Sequence, residues 1–120
     1  MYANDTNMKT DKISIDQFKV VEMRVGHILS AEKVLDADKL LKLSVDLGEG
    51  SPRQIISGIA SYFPDPQVLV GKRCPFVSNL APRTIRGLES NGMIMAVSTE
   101  DGKFSLLEVS PDISPGTLVK

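Results

Sequence analysis

The strongest constraint on the fold is a strict alternation of apolar and polar residues from Leu41 to Leu47. A period of two is typical of a β-strand that buries one face and exposes the other. The following segment, Gly48–Pro52, is rich in turn formers, and Arg53–Ile59 then returns as an apolar segment. These features predict a β-hairpin, which needs further strands to cover its apolar face.

Further strands are predicted on both sides of this hairpin. Met23–Val34 alternates imperfectly and predicts a long strand that bends near Gly26. Arg73–Ser78 predicts a strand with an edge position or a bulge at Pro75, because proline cannot donate a ladder hydrogen bond. Downstream we expect a buried strand at Gly92–Thr99, an Asp-Gly turn at Glu100–Lys103, a returning strand at Phe104–Val109 and a last short strand at Gly116–Val119.

Only two helical turns are predicted. Ser14 or Asp16 caps the first, which places Phe18 and Val21 inward. The second begins at Pro66, after the third strand, and ends before Gly71. Many short strands with so little helix predict an all-β domain, for which a sandwich and a small closed barrel both fit. The element order matches a five-stranded OB-fold barrel with a short helical turn between the third and fourth strands.

Length and composition fit one globular domain. The chain has 120 residues, of which 42% are hydrophobic and 24% charged, which argues against disorder. Residues 1–12 lack periodicity and predict a flexible N-terminal arm or linker, so the folded domain is expected at 13–120. No apolar run approaches the ~20 residues that span a bilayer, and the N-terminus has no apolar signal core. We therefore expect a cytoplasmic protein without a membrane partner.

No catalytic, metal or cofactor site is predicted. His27 is the single histidine and Cys74 the single cysteine, so neither a disulfide within the chain nor a cysteine-ligated zinc site is available. Asp36 and Asp38 fit turn positions rather than a calcium loop. Because no nucleophile, base and metal ligand come together, the domain itself is expected not to be an enzyme.

The segment from Pro66 to Leu88 contains four basic residues and no acid, although the whole chain has a net charge of −1. Arg83 and Arg86 suit bidentate contact with phosphate, and Asn79 and Ser90 offer hydrogen bonds to a base edge, a sugar or a phosphate. Few aromatic residues are available for stacking on single strands. The pattern predicts contact with a folded RNA, although on charge alone a solvated basic loop also fits.

Six motifs in this order resemble the tRNA-binding domain family, over Ile15 to Lys120. This family includes the C-terminal domain of bacterial methionyl-tRNA synthetase and free-standing bacterial tRNA-binding proteins. The motifs are Arg24–Gly26, Ala37–Leu43 with Val45–Asp46, Arg53–Ile59, Leu69–Lys72, Asn79–Arg83 and Ser90–Met93.

The resemblance implies an OB-fold that binds tRNA by its structure rather than its sequence. It also implies a homodimer with extra terminal elements at the interface, and a tether that holds tRNA near methionyl-tRNA synthetase as its C-terminal domain or beta subunit. The family's tRNA-contacting positions correspond to Asn79, Arg83, Arg86, Ser90 and Met93, with Lys33, Lys39, Lys42 and Arg53 on neighbouring strands. The family often has lysine where Ala81 and Thr84 stand, which predicts weaker, more salt-sensitive binding.

A chaperone-like branch of the same family keeps an alternative open, in which a free-standing homodimer binds unfolded polypeptide. That function needs an exposed apolar groove, and the sequence offers Met93, Met95, Tyr62 and Phe63 for it. The sequence also leaves open whether the chain is free-standing or a piece of a larger synthetase.

Overall fold

β-Strands make up most of the regular structure in the computed structural model, which describes residues 10–120. The helix α1 is Ile15–Phe18, and the strands are β1 Met23–Val34, β2 Ala37–Asp46, β3 Arg53–Ser57, β4 Arg73–Val77, β5 Arg83–Ile85, β6 Leu88–Ser90, β7 Met93–Ile94, β8 Ala96–Ser98 and β9 Phe104–Leu106. Two 3₁₀ turns, Ala60–Tyr62 and Pro66–Leu69, separate β3 from β4. The all-β prediction is confirmed; residues 1–9 of the predicted arm lie outside the described residues.

Five strands form one antiparallel sheet in the order β3-β2-β1-β4-β7. The long β1 pairs with β4 through Met23–His27 and with β2 from His27 onward. Its irregularity lies between Ile28 and Ser30, so the bend predicted near Gly26 is wrong in position. Glycine is needed at 26 because a Cβ there would lie 2.5 Å from the Phe76 ring and 2.6 Å from Val45.

The predicted hairpin supplies the centre of the core. Leu41, Leu43 and Val45 are completely buried, as their alternation predicts. Ile28 and Phe76 from the neighbouring strands complete the same cluster. Burial of each such side chain contributes roughly 1.5–3 kcal/mol, which makes this strand pair the main source of stability for the sheet.

Both predicted helical turns are present. Ser14 caps α1, where its Oγ accepts from Gln17 N at 3.1 Å and its N donates to Gln17 Oε1 at 2.7 Å. Phe18 and Val21 are each 46% exposed, so their predicted inward packing is wrong within one chain, because a single turn of helix lies at the edge of the sheet. The second turn, Pro66–Leu69, begins at a proline and buries Leu69.

The segment predicted as one buried strand, Gly92–Thr99, is divided into β7 and β8. The strand β7 pairs only with Phe76 and Val77, since the adjacent Pro75 has no N–H to continue the ladder. The chain then leaves the sheet, and β8 pairs with β9 across the predicted Asp-Gly turn. The predicted last strand at Gly116–Val119 is a short pairing with β1 through the Arg24–Leu118 bridge.

The two edge strands of the five-stranded sheet, β3 and β7, share no ladder in the described part of the chain. Two hydrogen bonds instead connect β3 to the end of β6. Asn91 N donates to Gln54 O at 2.9 Å, and Ile56 N donates to Ser90 Oγ at 2.9 Å. No helix between residues 10 and 120 is long and apolar enough to cross a membrane.

Candidate nucleic-acid interface

The basic segment forms a β-hairpin rather than the predicted loop. Strands β5 and β6 pair from Arg83–Ser90 to Ile85–Leu88, and Arg86 and Gly87 make the two-residue turn. Their φ angles are 54° and 81°, as a type I′ turn requires at both central positions. Gly87 was the available signal for this turn, but the sequence analysis missed it because Asn or Asp usually occupies the position of Arg86.

Arg86 extends from the hairpin tip between two clefts. One, of about 670 Å³, is lined by Lys39, Asp36 and Asp38 at the end of the β1–β2 hairpin. The other, of about 370 Å³, is lined by Lys33, Lys42 and Glu32. The fold therefore brings Arg86 together with all three of the lysines predicted on neighbouring strands.

A third groove continues along β5. It has a volume of about 340 Å³ and is lined by Arg83, Met93, Leu40 and Ile56 among others. Leu40 also lines the larger Arg86 cleft, so the grooves adjoin. Four predicted contact residues on β5–β7 and the turn are thus placed along one continuous surface, which we call the hairpin surface: Arg83, Arg86, Met93 and, in a buried position, Ser90.

Acidic residues that are remote in sequence reduce the positive charge of this surface. Asp36, Asp38 and Glu32 line the same clefts as Arg86, although the segment that contains Arg86 has no acid of its own. Lys42 Nζ lies 3.7 Å from Glu32 Oε1. Within residues 10–120, no ion pair involves the remaining bases of the hairpin surface and its clefts, namely Arg83, Arg86, Lys33 and Lys39.

Arg53 is engaged inside the fold. Its Nε and Nη2 donate to the Glu49 carboxylate at 2.8 and 2.6 Å, and its Nη1 donates to Ser78 O at 2.6 Å and to Asn91 O at 3.3 Å. These four hydrogen bonds leave one of the five guanidinium N–H groups for any other partner. The hydrogen bonds to Arg53 hold the pKa of Glu49 below its usual range.

Asn79 and Ser90 also make hydrogen bonds within the chain. Asn79 Oδ1 accepts from Glu22 N at 2.8 Å, and its Nδ2 donates to Val20 O at 2.7 Å. Ser90 is 4% exposed, and its Oγ accepts from Ile56 N. The structure therefore places both residues beside the hairpin surface, with most of their hydrogen-bonding capacity already used.

The groups considered for catalysis remain apart. Cys74 is fully buried, and desolvation raises the pKa of its thiol to about 11, so it is protonated and inert at neutral pH. In the part of the chain that the structure describes, no group of three or more histidine, cysteine, aspartate or glutamate residues could hold a metal ion.

Two apolar features were not found from the sequence. Tyr62 stacks on Phe104 with ring centroids 4.1 Å apart, and Phe63 meets the same ring edge-on at 5.8 Å. These contacts bring residues 62, 63 and 104 together across a separation that no local pattern reports. The second feature is an exposed apolar cleft of about 440 Å³ between α1 and the C-terminal segment, lined by Ile15, Phe18, Val21, Met23, Leu118 and Val119.

Comparison with known proteins gives one consistent family. The model of the family described as "Putative tRNA binding domain" matches residues 23–118. The methionine–tRNA ligase of Enterococcus faecalis is 41% identical over 108 residues, which are 90% of this chain and 16% of that protein. That of Caldanaerobacter subterraneus is 45% identical over 111 residues, or 92% of this chain and 17% of that protein. The chain thus spans about a sixth of the length of these relatives.

Solved structures agree with the sequence relatives. A methionyl-tRNA-synthetase-related protein from Pyrococcus horikoshii has a TM-score of 0.86 at 40% identity, over 92% of this chain and 100% of that one. The chaperone CsaA from Bacillus anthracis has a TM-score of 0.80 at 23% identity, over 92% and 100% of the two chains. The second likeness is one of fold alone.

Proposed function

The chain belongs to the tRNA-binding domain family, and we propose that its hairpin surface binds tRNA through backbone charge and shape, without catalysis. The observation that carries this proposal is Arg86, a residue in left-handed conformation at the hairpin tip, between clefts that contain Lys33, Lys39 and Lys42. A guanidinium pairs with phosphate in a fixed bidentate geometry. The proposed RNA contacts are Arg83, Arg86, Met93, Lys33, Lys39 and Lys42.

We also propose that the five-stranded sheet closes as an OB-fold barrel. The hydrogen bonds from Asn91 N to Gln54 O and from Ile56 N to Ser90 Oγ lie between the two edge strands and support this closure. In an OB-fold the barrel face and the adjoining loops bind oligonucleotides, which agrees with the position of the hairpin surface beside β2 and β3.

The proposed role is to tether tRNA near the catalytic body of methionyl-tRNA synthetase in the cytoplasm, as a C-terminal domain or beta subunit. A second binding module raises the effective concentration of tRNA at the catalytic site without new chemistry. Addition of the chain, joined to or associated with the catalytic body, should therefore lower KM for tRNA and leave kcat unchanged. An unchanged KM would contradict the tether.

We further propose that two chains associate through the apolar cleft between α1 and the C-terminal segment. Phe18, Val21 and Leu118 are each 46% exposed, and such a contiguous apolar patch marks an interaction site more often than an ordinary surface. A symmetric dimer would place two hairpin surfaces on one particle, which suits a ligand as large as tRNA.

Structure-directed binding is tested by competition. Several unrelated tRNAs should bind with similar affinity, and an unstructured RNA of equal length should compete poorly, because the proposed contacts go to the backbone of a folded RNA. Equal competition by unstructured RNA would contradict recognition by shape. An unfolded polypeptide that displaces tRNA would instead favour the peptide-binding alternative, for which Tyr62 and Phe63 are already packed on Phe104.

A further inference from the structure

Both ends of the segment that carries the β5–β6 hairpin meet at one guanidinium. Arg53 Nη1 donates to Ser78 O at 2.6 Å, just before the segment, and to Asn91 O at 3.3 Å, just after it. The Glu49 carboxylate holds the other side of the same guanidinium at 2.6 and 2.8 Å. Because a guanidinium is planar and rigid, these bonds fix the spacing between the two ends of the segment.

The first end of this segment also holds the N-terminal segment that follows α1. Ser78 N donates to Glu22 O at 2.8 Å, and Ser78 Oγ donates to Glu22 Oε1 at 2.7 Å. Asn79 bonds Glu22 N and Val20 O through its two amide atoms at 2.8 and 2.7 Å. We call this group of four residues the clasp: Glu22, Arg53, Ser78 and Asn79.

We propose that Arg53 and Asn79 are positioning residues, which hold the hairpin for RNA through the clasp and do not contact RNA themselves. This inference rests on the proposed function, since it concerns the same hairpin surface. A phosphate contact by Arg53 would require it to release Glu49 or a carbonyl, because four of its five N–H groups are occupied. Asn79 likewise has one N–H left after its bonds to residues 20 and 22.

The clasp also connects the two surfaces of the proposed function. Glu22 and Arg24, which form an ion pair at 3.1 Å, line the apolar cleft assigned to the dimer. Asn79 stands four residues before Arg83. Loss of the clasp should therefore loosen the hairpin even though every base on the hairpin surface remains.

The first test requires no RNA. Hydrogen exchange of the β5–β6 backbone amides should become at least several-fold faster in Arg53→Gln and in Asn79→Ala. The matched control is Lys72→Ala, which removes a surface ion pair with Glu108 and should leave that exchange unchanged. Asn79 is exposed, so its variant keeps the test valid if Arg53→Gln does not fold. Unchanged exchange in the folded variants would overturn the clasp.

The second test is a double-mutant cycle in tRNA binding. Arg53→Gln should weaken binding about tenfold in the native chain but less than twofold in the Arg83→Ala plus Arg86→Ala background, because its effect acts through those residues. Asn79→Ala should behave in the same way. An equal loss in both backgrounds would mean that Arg53 or Asn79 contacts RNA directly, which contradicts the inference.

The two tests separate this inference from the proposed function. If Arg83→Ala plus Arg86→Ala leaves tRNA binding unchanged, the hairpin surface is not the RNA site and the proposed function fails. The exchange experiment still decides in that case whether the clasp holds the hairpin. If that double variant weakens binding but the cycle is additive, the positioning role fails and the proposed function stands.

Discussion

At the tip of the β5–β6 hairpin, Arg86 has a φ of 54°, a conformation that costs a residue with a Cβ roughly 1–2 kcal/mol. Asparagine and glycine occupy this turn position at lower cost. A strained arginine between two clefts supports a role for its side chain, since strain persists at sites where function requires it.

We predict that Arg86→Asn separates stability from binding. The free energy of unfolding should stay the same or rise by up to about 1 kcal/mol, because asparagine suits a type I′ turn. Binding of tRNA should weaken, since a phosphate contact is lost. Chemical denaturation and filter binding measure the two effects. Arg83→Asn is the control, which should weaken binding without a gain in stability; a destabilised Arg86→Asn with native binding would contradict this account.

The clasp carboxylates predict an acid-sensitive stability. Hydrogen bonds from Arg24 and Ser78 hold the pKa of Glu22 below its usual range, and Arg53 does the same for Glu49. Because the folded pKa is the lower one, this stabilisation is complete above the unfolded value and is lost as the pH falls below about 4. Glu22→Gln plus Glu49→Gln should lower the melting temperature at pH 7 and flatten its decline in acid. An unchanged decline would exclude these two residues as its source.

Residue types predicted the candidate contacts, but not which of them are accessible. Arg83, Arg86, Lys33 and Lys39 are exposed and lie along adjoining clefts, as a phosphate-binding set should. The acids that accompany them and the carbonyls that occupy Arg53 come from positions tens of residues away. Sequence alone could not assign these partners, since only the sheet topology brings them together.

Among the secondary-structure elements, the β2–β3 hairpin was predictable because its burial follows a simple period of two. The β5–β6 hairpin was not, because its turn has arginine in a position where asparagine is expected. The interruption between β7 and β8 depends on Pro75 in a neighbouring strand, and no pattern within Gly92–Thr99 reports it.

At this scale, Gly92→Ala tests how the hairpin joins the sheet. Gly92 has a φ of +134°, and a Cβ there would lie 3.0 Å from Val77 O and 3.1 Å from Ile55. We expect a loss of about 2–3 kcal/mol in the free energy of unfolding. Gly50→Ala is the matched control, with a φ of +89° and open space around it, and should cost only about 1 kcal/mol. Equal losses at the two positions would show that the contacts of Gly92 do not matter.

On the scale of the whole molecule, the exposed apolar cleft predicts self-association. The chain should sediment at micromolar concentration with twice the mass of one chain, and Phe18→Glu should convert it to a folded monomer, because a charge cannot be buried in an apolar contact at low cost. Val68→Glu is the control, since Val68 is 54% exposed and lies outside the cleft. A native chain that sediments as a monomer would rule out the dimer.

The salt dependence of tRNA binding tests the central claim most directly. Each phosphate contact contributes about 0.9 to the slope of log K against log salt concentration. We expect Arg83→Ala plus Arg86→Ala to weaken binding at low salt and to flatten that slope by about two. The control with the same charge change, Lys72→Ala plus Lys103→Ala, removes lysines that line none of the three hairpin clefts and should keep the native slope. Native affinity and slope in the arginine variant, or an equal effect in the lysine control, would contradict tRNA binding by the hairpin surface.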